Sequence, residues 1–247
     1  MKKRRNKLVA LGMAAMMTAA LMSGCGKKAT PENLLKDMAK NMKDTESVVA
    51  NMKMDMEMGD DTTTIGVQMD MDIDMDLKSG ESHAKGAVDM KMMGTNVGTE
   101  IEMYTVKEKD QYIVYTMAND QWQKEEMDDS AADMAGELSD LTGSMEGHAK
   151  SFEMSKEKVE VNGEKCFEMK GEIKGSDIVG MMESGMADSL GSEIDEDVIK
   201  DLELPCTIAV YEDDILPAKI SFDMQDIMEK AMEEEGVDVS ACSVEVT

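Results

Sequence analysis

The chain has 247 residues and a formal net charge of −27, from 26 Lys and Arg against 53 Asp and Glu. A protein this acidic lacks the basic surface that neutralises phosphates, so we exclude nucleic-acid binding and expect anionic lipid headgroups to repel it. The length suits one domain with a sizeable core. Aromatic residues make up only 3% of the chain, which argues against a sugar-processing site, whereas methionine is abundant, with 30 residues.

The N-terminal region has the pattern of a secreted lipoprotein. A basic head over residues 1–7 precedes an uncharged stretch over residues 8–22, which is too short to span a bilayer. With the small residues that follow, this pattern predicts a secretory signal peptide. Leu21-Met22-Ser23-Gly24-Cys25 also resembles a bacterial lipobox. The resemblance implies cleavage before Cys25 and a diacylglyceryl group on its thiol.

We therefore divide the chain into three parts. Residues 1–24 are the predicted signal peptide, residues 25–29 the lipidated Cys25 with a short tether, and residues 30–247 a single domain. Because the domain is acidic, the lipid on Cys25 would be its contact with the membrane, on the extracytoplasmic face. Each acyl methylene that enters the bilayer contributes about 0.8 kcal/mol, so two or more chains would hold the protein there.

The three cysteines that follow Cys25 have no CxxC spacing. They are Cys166, Cys206 and Cys242. One disulfide with one free thiol is compatible with an extracytoplasmic protein. Three buried thiols that act as small apolar residues are equally compatible. The sequence does not choose between these alternatives.

A helix is predicted where the domain begins. Thr30-Pro31-Glu32-Asn33 supplies a hydroxyl cap and a proline at the first helical position. Apolar residues then recur at helical spacing up to about Thr45: Leu34, Leu35, Met38, Ala39 and Met42.

From Val48 the apolar period changes to two. Between Val67 and Leu77, apolar residues alternate with four aspartates, so a strand would place all the apolar side chains on one face and all the aspartates on the other. Such a strand makes sense with one wet face and one covered face. We predict strands before and after it, with Lys53, Lys85 and Lys91 across from the aspartates.

The remaining elements alternate between strands and helices. Strands are predicted at residues 101–106, 112–117, around 122–124, 152–161, 166–173, 206–211 and 216–222, with a hairpin turn at Asn162-Gly163. Helices are predicted around Met134–Met145, Ile178–Met186 and Met224–Met232, and a helix start in the acidic run at residues 193–197. The rhythm indicates an antiparallel meander with helices against one face, an α+β fold.

The order of parts resembles the LolA/LppX-like carriers and related Gram-positive lipoproteins. The resemblance is carried by the lipobox, the first helix, the alternating strands and four short motifs: Tyr112-Ile113-Val114-Tyr115, Trp122-Gln123-Lys124, Thr207-Ile208-Ala209-Val210-Tyr211 and Leu216-Pro217-Ala218-Lys219. It implies one large curved antiparallel sheet, a half-barrel, whose concave apolar face is covered by helices and leaves a cavity for acyl chains. It leaves open whether this chain lacks a last short strand found in relatives.

The sequence contains no Gly-x-Ser-x-Gly, His-Glu-x-x-His or phosphate-loop motif. We therefore predict a non-enzymatic, cofactor-free lipoprotein that binds a lipid or acyl chain. The predicted cavity lining is Met54, Met56, Met71, Ile73, Met75, Met90 and Met92. Two alternatives stay open: an envelope interaction protein with a solid core, and a methionine-rich copper(I)-binding lipoprotein, since thioethers are soft ligands.

Overall fold

The computed structural model describes residues 29–59, 63–109, 111–127, 134–177, 200–232 and 237–247. The predicted signal peptide, Cys25 and most of the tether lie outside these residues, as do the predicted helix near Ile178 and the acidic run at residues 193–197. They stay predictions.

Three α-helices and two short 3-10 helices occur in the described residues. They are α1 (Pro31–Lys43), α2 (Met134–Gly147), α3 (Gln225–Met232) and the 3-10 turns Ala149–Ser151 and Gly175–Asp177. The predicted cap of α1 is confirmed, because the Thr30 hydroxyl accepts a hydrogen bond from the Asn33 amide at 3.3 Å. α1 ends slightly earlier than predicted, and its apolar stripe is buried.

Twelve strands follow in chain order. They are β1 (Ser47–Gly59), β2 (Thr64–Asp76), β3 (Ser82–Met92), β4 (Thr95–Glu108), β5 (Gln111–Ala118), β6 (Gln121–Met127), β7 (Glu153–Met154), β8 (Val159–Val161), β9 (Glu164–Lys174), β10 (Glu203–Tyr211), β11 (Pro217–Asp223) and β12 (Asp238–Val246).

These strands form one antiparallel sheet, in the order β6-β5-β4-β3-β2-β1-β12-β11-β10-β9-β7, with β8 also paired to β9. Each half is a meander of sequential neighbours, and the two halves join where β1 pairs with β12. The sheet is curved and unclosed, so the predicted half-barrel fold class is confirmed. The alternating C-terminus is β12, a central strand.

Alternation along β2 is visible in its burial. Asp70, Asp72, Asp74 and Asp76 are exposed on one face, while the apolar residues between them are half-buried or buried. The expected charge pairing occurs at Lys53, whose amine lies 3.7 Å from Asp70. Lys85 lies opposite Asp72 but pairs with Glu102 on its other side, at 3.4 Å. Lys91 lies opposite Gly66, so its predicted placement across from an aspartate is wrong.

The segment predicted as one strand over residues 152–161 is divided. Phe152 closes a 3-10 turn, β7 has only two residues, and β8 begins after a turn. The Asn162-Gly163 hairpin is confirmed, with both residues at positive φ, 53° and 82°, as a tight two-residue hairpin turn requires.

The main core lies between the helices and the half of the sheet formed by β1 and β12 to β9. It contains Leu35 and Met38 of α1, Met145 of α2, Ile227 and Met228 of α3, and facing strand residues such as Met56, Ile208 and Cys242. Cys166 belongs to a smaller cluster that also contains Val161 and Ala209. All three cysteines are free and buried, as the second alternative required.

Candidate functional site

The face of the sheet that contacts the helices is called the inner face below, and strands β1–β6 are called the N-terminal wing. Strand register extends the inner face across the wing. Met56 of β1 lies opposite Val67 of β2, Val67 opposite Met90 of β3, and Met90 opposite Val97 of β4. Residues directly opposite each other on paired strands share a face. The inner face therefore continues beyond the helix-covered core.

All seven predicted lining residues lie on this inner face, but their environments differ. Met56 is 2% exposed and belongs to the core under the helices. Met71 is 5% exposed yet lies outside both core clusters. Met54, Ile73 and Met75 are half-buried, and Met90 and Met92 are each 48% exposed. Six of the seven thus form an apolar surface that the described helices do not pack as core.

The sequence reasoning omitted further members of the same surface. Ile101 and Met103 of β4 lie opposite Gly86 and Ala84, which in turn pair with Met71 and Ile73. Both are half-buried. Their alternation with Glu100, Glu102 and Tyr104 was the available signal.

An open cavity of about 380 Å³ lies at the end of the wing where β1 and β3 begin and β2 ends. Inner-face residues Val48, Met75 and Thr105 contribute to its lining, and Asp74 and Glu81 are among its acidic lining residues. Ligand cavities of about 300–1,000 Å³ are typical, so this volume is at the small end of that range. One predicted lining residue, Met75, lies here.

Four methionines form a block on the inner face of β1 and β2. Met52 lies opposite Met71, and Met54 lies opposite Met69. Their thioethers are the soft ligands that copper(I) prefers. No group of three or more His, Cys, Asp or Glu side chains in the described part of the chain could hold a metal ion.

The outer face of the wing carries an aromatic and charged cluster around Glu102. The Tyr104 hydroxyl donates to the Glu102 carboxylate at 2.9 Å, and the His83 ring nitrogen lies 3.0 Å from it. Hydrogen bonds from Tyr104 and then His83 lower the pKa of Glu102. The His83 ring stacks on Tyr104 with centroids 4.3 Å apart, and Tyr104 contacts Trp122. These contacts tie β3, β4 and β6 together.

The core thiols have no nucleophilic role. Burial raises the pKa of Cys206 to about 12 and is the main cause that raises the pKa of Cys242 to about 11. A thiolate is the form that attacks electrophiles and binds metals, so both groups stay protonated and inert near neutral pH. The described helices include none that is long and apolar enough to cross a bilayer.

A curved, unclosed sheet with an apolar inner face that extends past its helix-covered core defines the class of protein: a half-barrel of the LppX/LprF-like fold. The chain belongs to DUF6612, a family of unknown function, which matches residues 30–243.

Among solved structures, the chain is similar to LprF from Mycobacterium bovis, with 14% sequence identity and a TM-score of 0.50 over 88% of this chain and 90% of that one. It also matches a DUF1329 family protein from Desulfovibrio piger ATCC 29098, with 11% identity and a TM-score of 0.26 over 89% and 92% of the two chains. No curated protein matches. The likeness to LprF supports the fold.

Proposed function

We propose that this protein is a lipid-anchored, extracytoplasmic lipoprotein that binds a lipid or acyl chain on the inner face of its N-terminal wing, without catalysis. The observation that carries the proposal is the inner-face row Met56, Val67, Met90 and Val97. Along this row exposure rises from 2% at Met56 to 60% at Val97. An apolar surface that is contiguous with a core but incompletely covered by protein is suited to a hydrophobic ligand.

The binding energy would come from apolar burial. An acyl chain that covers on the order of 300 Å² of this face would gain roughly 7 kcal/mol before the entropic cost of association. Methionine side chains are unbranched and flexible, so they can adapt to chains of different shape. The acidic outer face, with Asp70, Asp72 and Asp74 exposed, would stay in water.

Native mass spectrometry tests the proposal. Residues 29–247 include every described contact, so a chain that begins at Ala29 is purified, incubated with phosphatidylcholine or palmitate, desalted and weighed. We expect one retained lipid. Ile73→Asn places an amide on the inner face and should abolish retention, whereas Val49→Asn, on the outer face of β1, should not. A bare mass for the unsubstituted chain would favour a solid core and refute lipid binding.

Copper(I) is the second candidate, favoured by the block of Met52, Met54, Met69 and Met71. Anaerobic titration with a copper(I) complex, followed by metal analysis, would show one tightly bound ion. Replacing Met52 and Met71 with leucine keeps apolar volume but removes two sulfurs, so it should abolish copper retention and leave lipid retention intact. No retained copper in the unsubstituted chain excludes this candidate.

A further inference from the structure

The β3–β4 hairpin ends in an apolar tip, defined here as residues 90–97. Seven large apolar or aromatic side chains are exposed in the described part of the chain, and four of them are in this tip: Met90, Met92, Met93 and Val97. Met93, in the turn itself, is 78% exposed. Isolated exposed apolar residues are ordinary, but four around one turn indicate a contact surface.

The tip also differs in charge from the rest of the protein. Asp and Glu account for 53 of the 247 residues, yet residues 90–99 contain neither, and their one charged residue is Lys91. Because an acidic protein is repelled by an anionic surface and loses hydration when carboxylates approach lipid, this hairpin end is the part of the wing that can approach a bilayer at the lowest cost.

The tip is continuous with the candidate ligand-binding face. Met90 and Val97 complete the row that begins at Met56, and Met92 lies opposite Ile65 in the next row outward. An apolar surface therefore extends from the core to the end of the hairpin without a charged residue on the inner face of this row.

The attachment of α1 is compatible with a membrane on the tip side. The Asn41 side-chain amide donates to the Asp214 carbonyl at 2.9 Å, which fixes the C-terminal end of α1 at the β10–β11 turn. Strand register places that turn and the β3–β4 turn at opposite ends of the sheet. The predicted tether precedes Thr30, at the helix end roughly 20 Å from that contact.

We propose that the hairpin tip inserts its apolar side chains into the interfacial layer of an electrically neutral lipid bilayer. The bilayer is favoured over a second protein copy because a standard protein interface uses roughly 20–30 residues a side, and one hairpin turn does not supply them. The inference extends the proposed function by naming where a lipid would enter, although bilayer contact itself requires no bound ligand.

Co-sedimentation with phosphatidylcholine vesicles tests the inference on residues 29–247, which lack the predicted lipid anchor. Met93→Asn is the test variant, because residue 93 has a φ of 50° that asparagine adopts readily. Val49→Asn is the matched control, since Val49 is 79% exposed on another surface. We expect Met93→Asn to weaken vesicle partitioning roughly tenfold, from the loss of one buried methionine, and Val49→Asn to change it less than about twofold.

Three results would overturn the inference: no vesicle binding by the unsubstituted chain, an equal effect of both variants, or a dimer on size-exclusion chromatography that Met93→Asn dissociates while vesicle binding is unchanged. Lipid retention on the same samples separates the two proposals. Vesicle binding with a bare native mass supports the tip and refutes the carrier, and retention of a lipid by a chain that does not bind vesicles does the reverse.

Discussion

Met56→Ala should strongly destabilise the protein, because it removes a side chain from the seam of the sheet. Met56 lies on β1 opposite Cys242 of β12 and Val67 of β2, is 2% exposed, and belongs to the core that the three helices cover. Truncating a buried methionine to alanine costs about 2–5 kcal/mol, from lost transfer energy and the remaining cavity. Domains of this size are stable by about 5–15 kcal/mol, so the loss is a large fraction of the total.

The matched control is Met54→Ala. Met54 has the same residue type, strand and face, but it is half-buried and lies outside the core clusters. Its truncation should cost on the order of 1 kcal/mol. Urea unfolding at neutral pH, followed by circular dichroism, measures both losses. In thermal melts the Met56 variant should lose roughly 4–20 °C, at 2–4 °C per kcal/mol.

The comparison locates the boundary between core and wing. If the two truncations cost the same free energy within about 0.5 kcal/mol, a typical error of such comparisons, then the helices do not distinguish these positions and the described core is wrong.

Two further predictions concern backbone approach and thiol burial. Gly86→Ala should unfold the wing or prevent expression, since its Cβ would overlap the Asp70 carbonyl oxygen of β2, whereas Gly66→Ala, with ordinary space, should fold normally; normal stability of both would contradict the close approach of β2 and β3. Cys206, whose pKa is raised to about 12 by burial, should resist iodoacetamide at pH 8 until urea is added. A raised pKa in the folded state stabilises the protein below the unfolded thiol pKa, near 8.5, and this contribution is lost as pH rises toward 12. The urea midpoint should therefore fall between pH 8 and 10, less so in Cys206→Ala, and rapid labelling of the native protein or an equal fall in both would refute this account.

The sequence predicted the features that depend on neighbouring residues. The alternation from Val67 to Leu77 identified both faces of β2, because side chains in a strand alternate whatever the strand pairs with. Thr30 with Pro31 located the start of α1, and Asn162-Gly163 located a hairpin, because caps and tight turns are local events.

What the sequence could not supply depends on long-range pairing. β1 pairs with β12 across almost the whole chain, and nothing in Ser47–Gly59 indicates that partner. That junction decides which methionines become core, so Met56 could not be distinguished from Met54 beforehand. Lys85 likewise had two acidic neighbours, and only the register of β4 shows that Glu102 is its partner.

The most direct test of lipid binding on the inner face is photo-crosslinking with a phospholipid that carries a diazirine near the end of one acyl chain. After irradiation of the chain from Ala29, peptide mass spectrometry identifies the labelled residues. The account predicts labels on inner-face residues of β2 to β4, such as Met71, Ile73 and Met103, and none on outer-face Asp72 or Lys85. Labels on the outer face alone, or none at all, would contradict it.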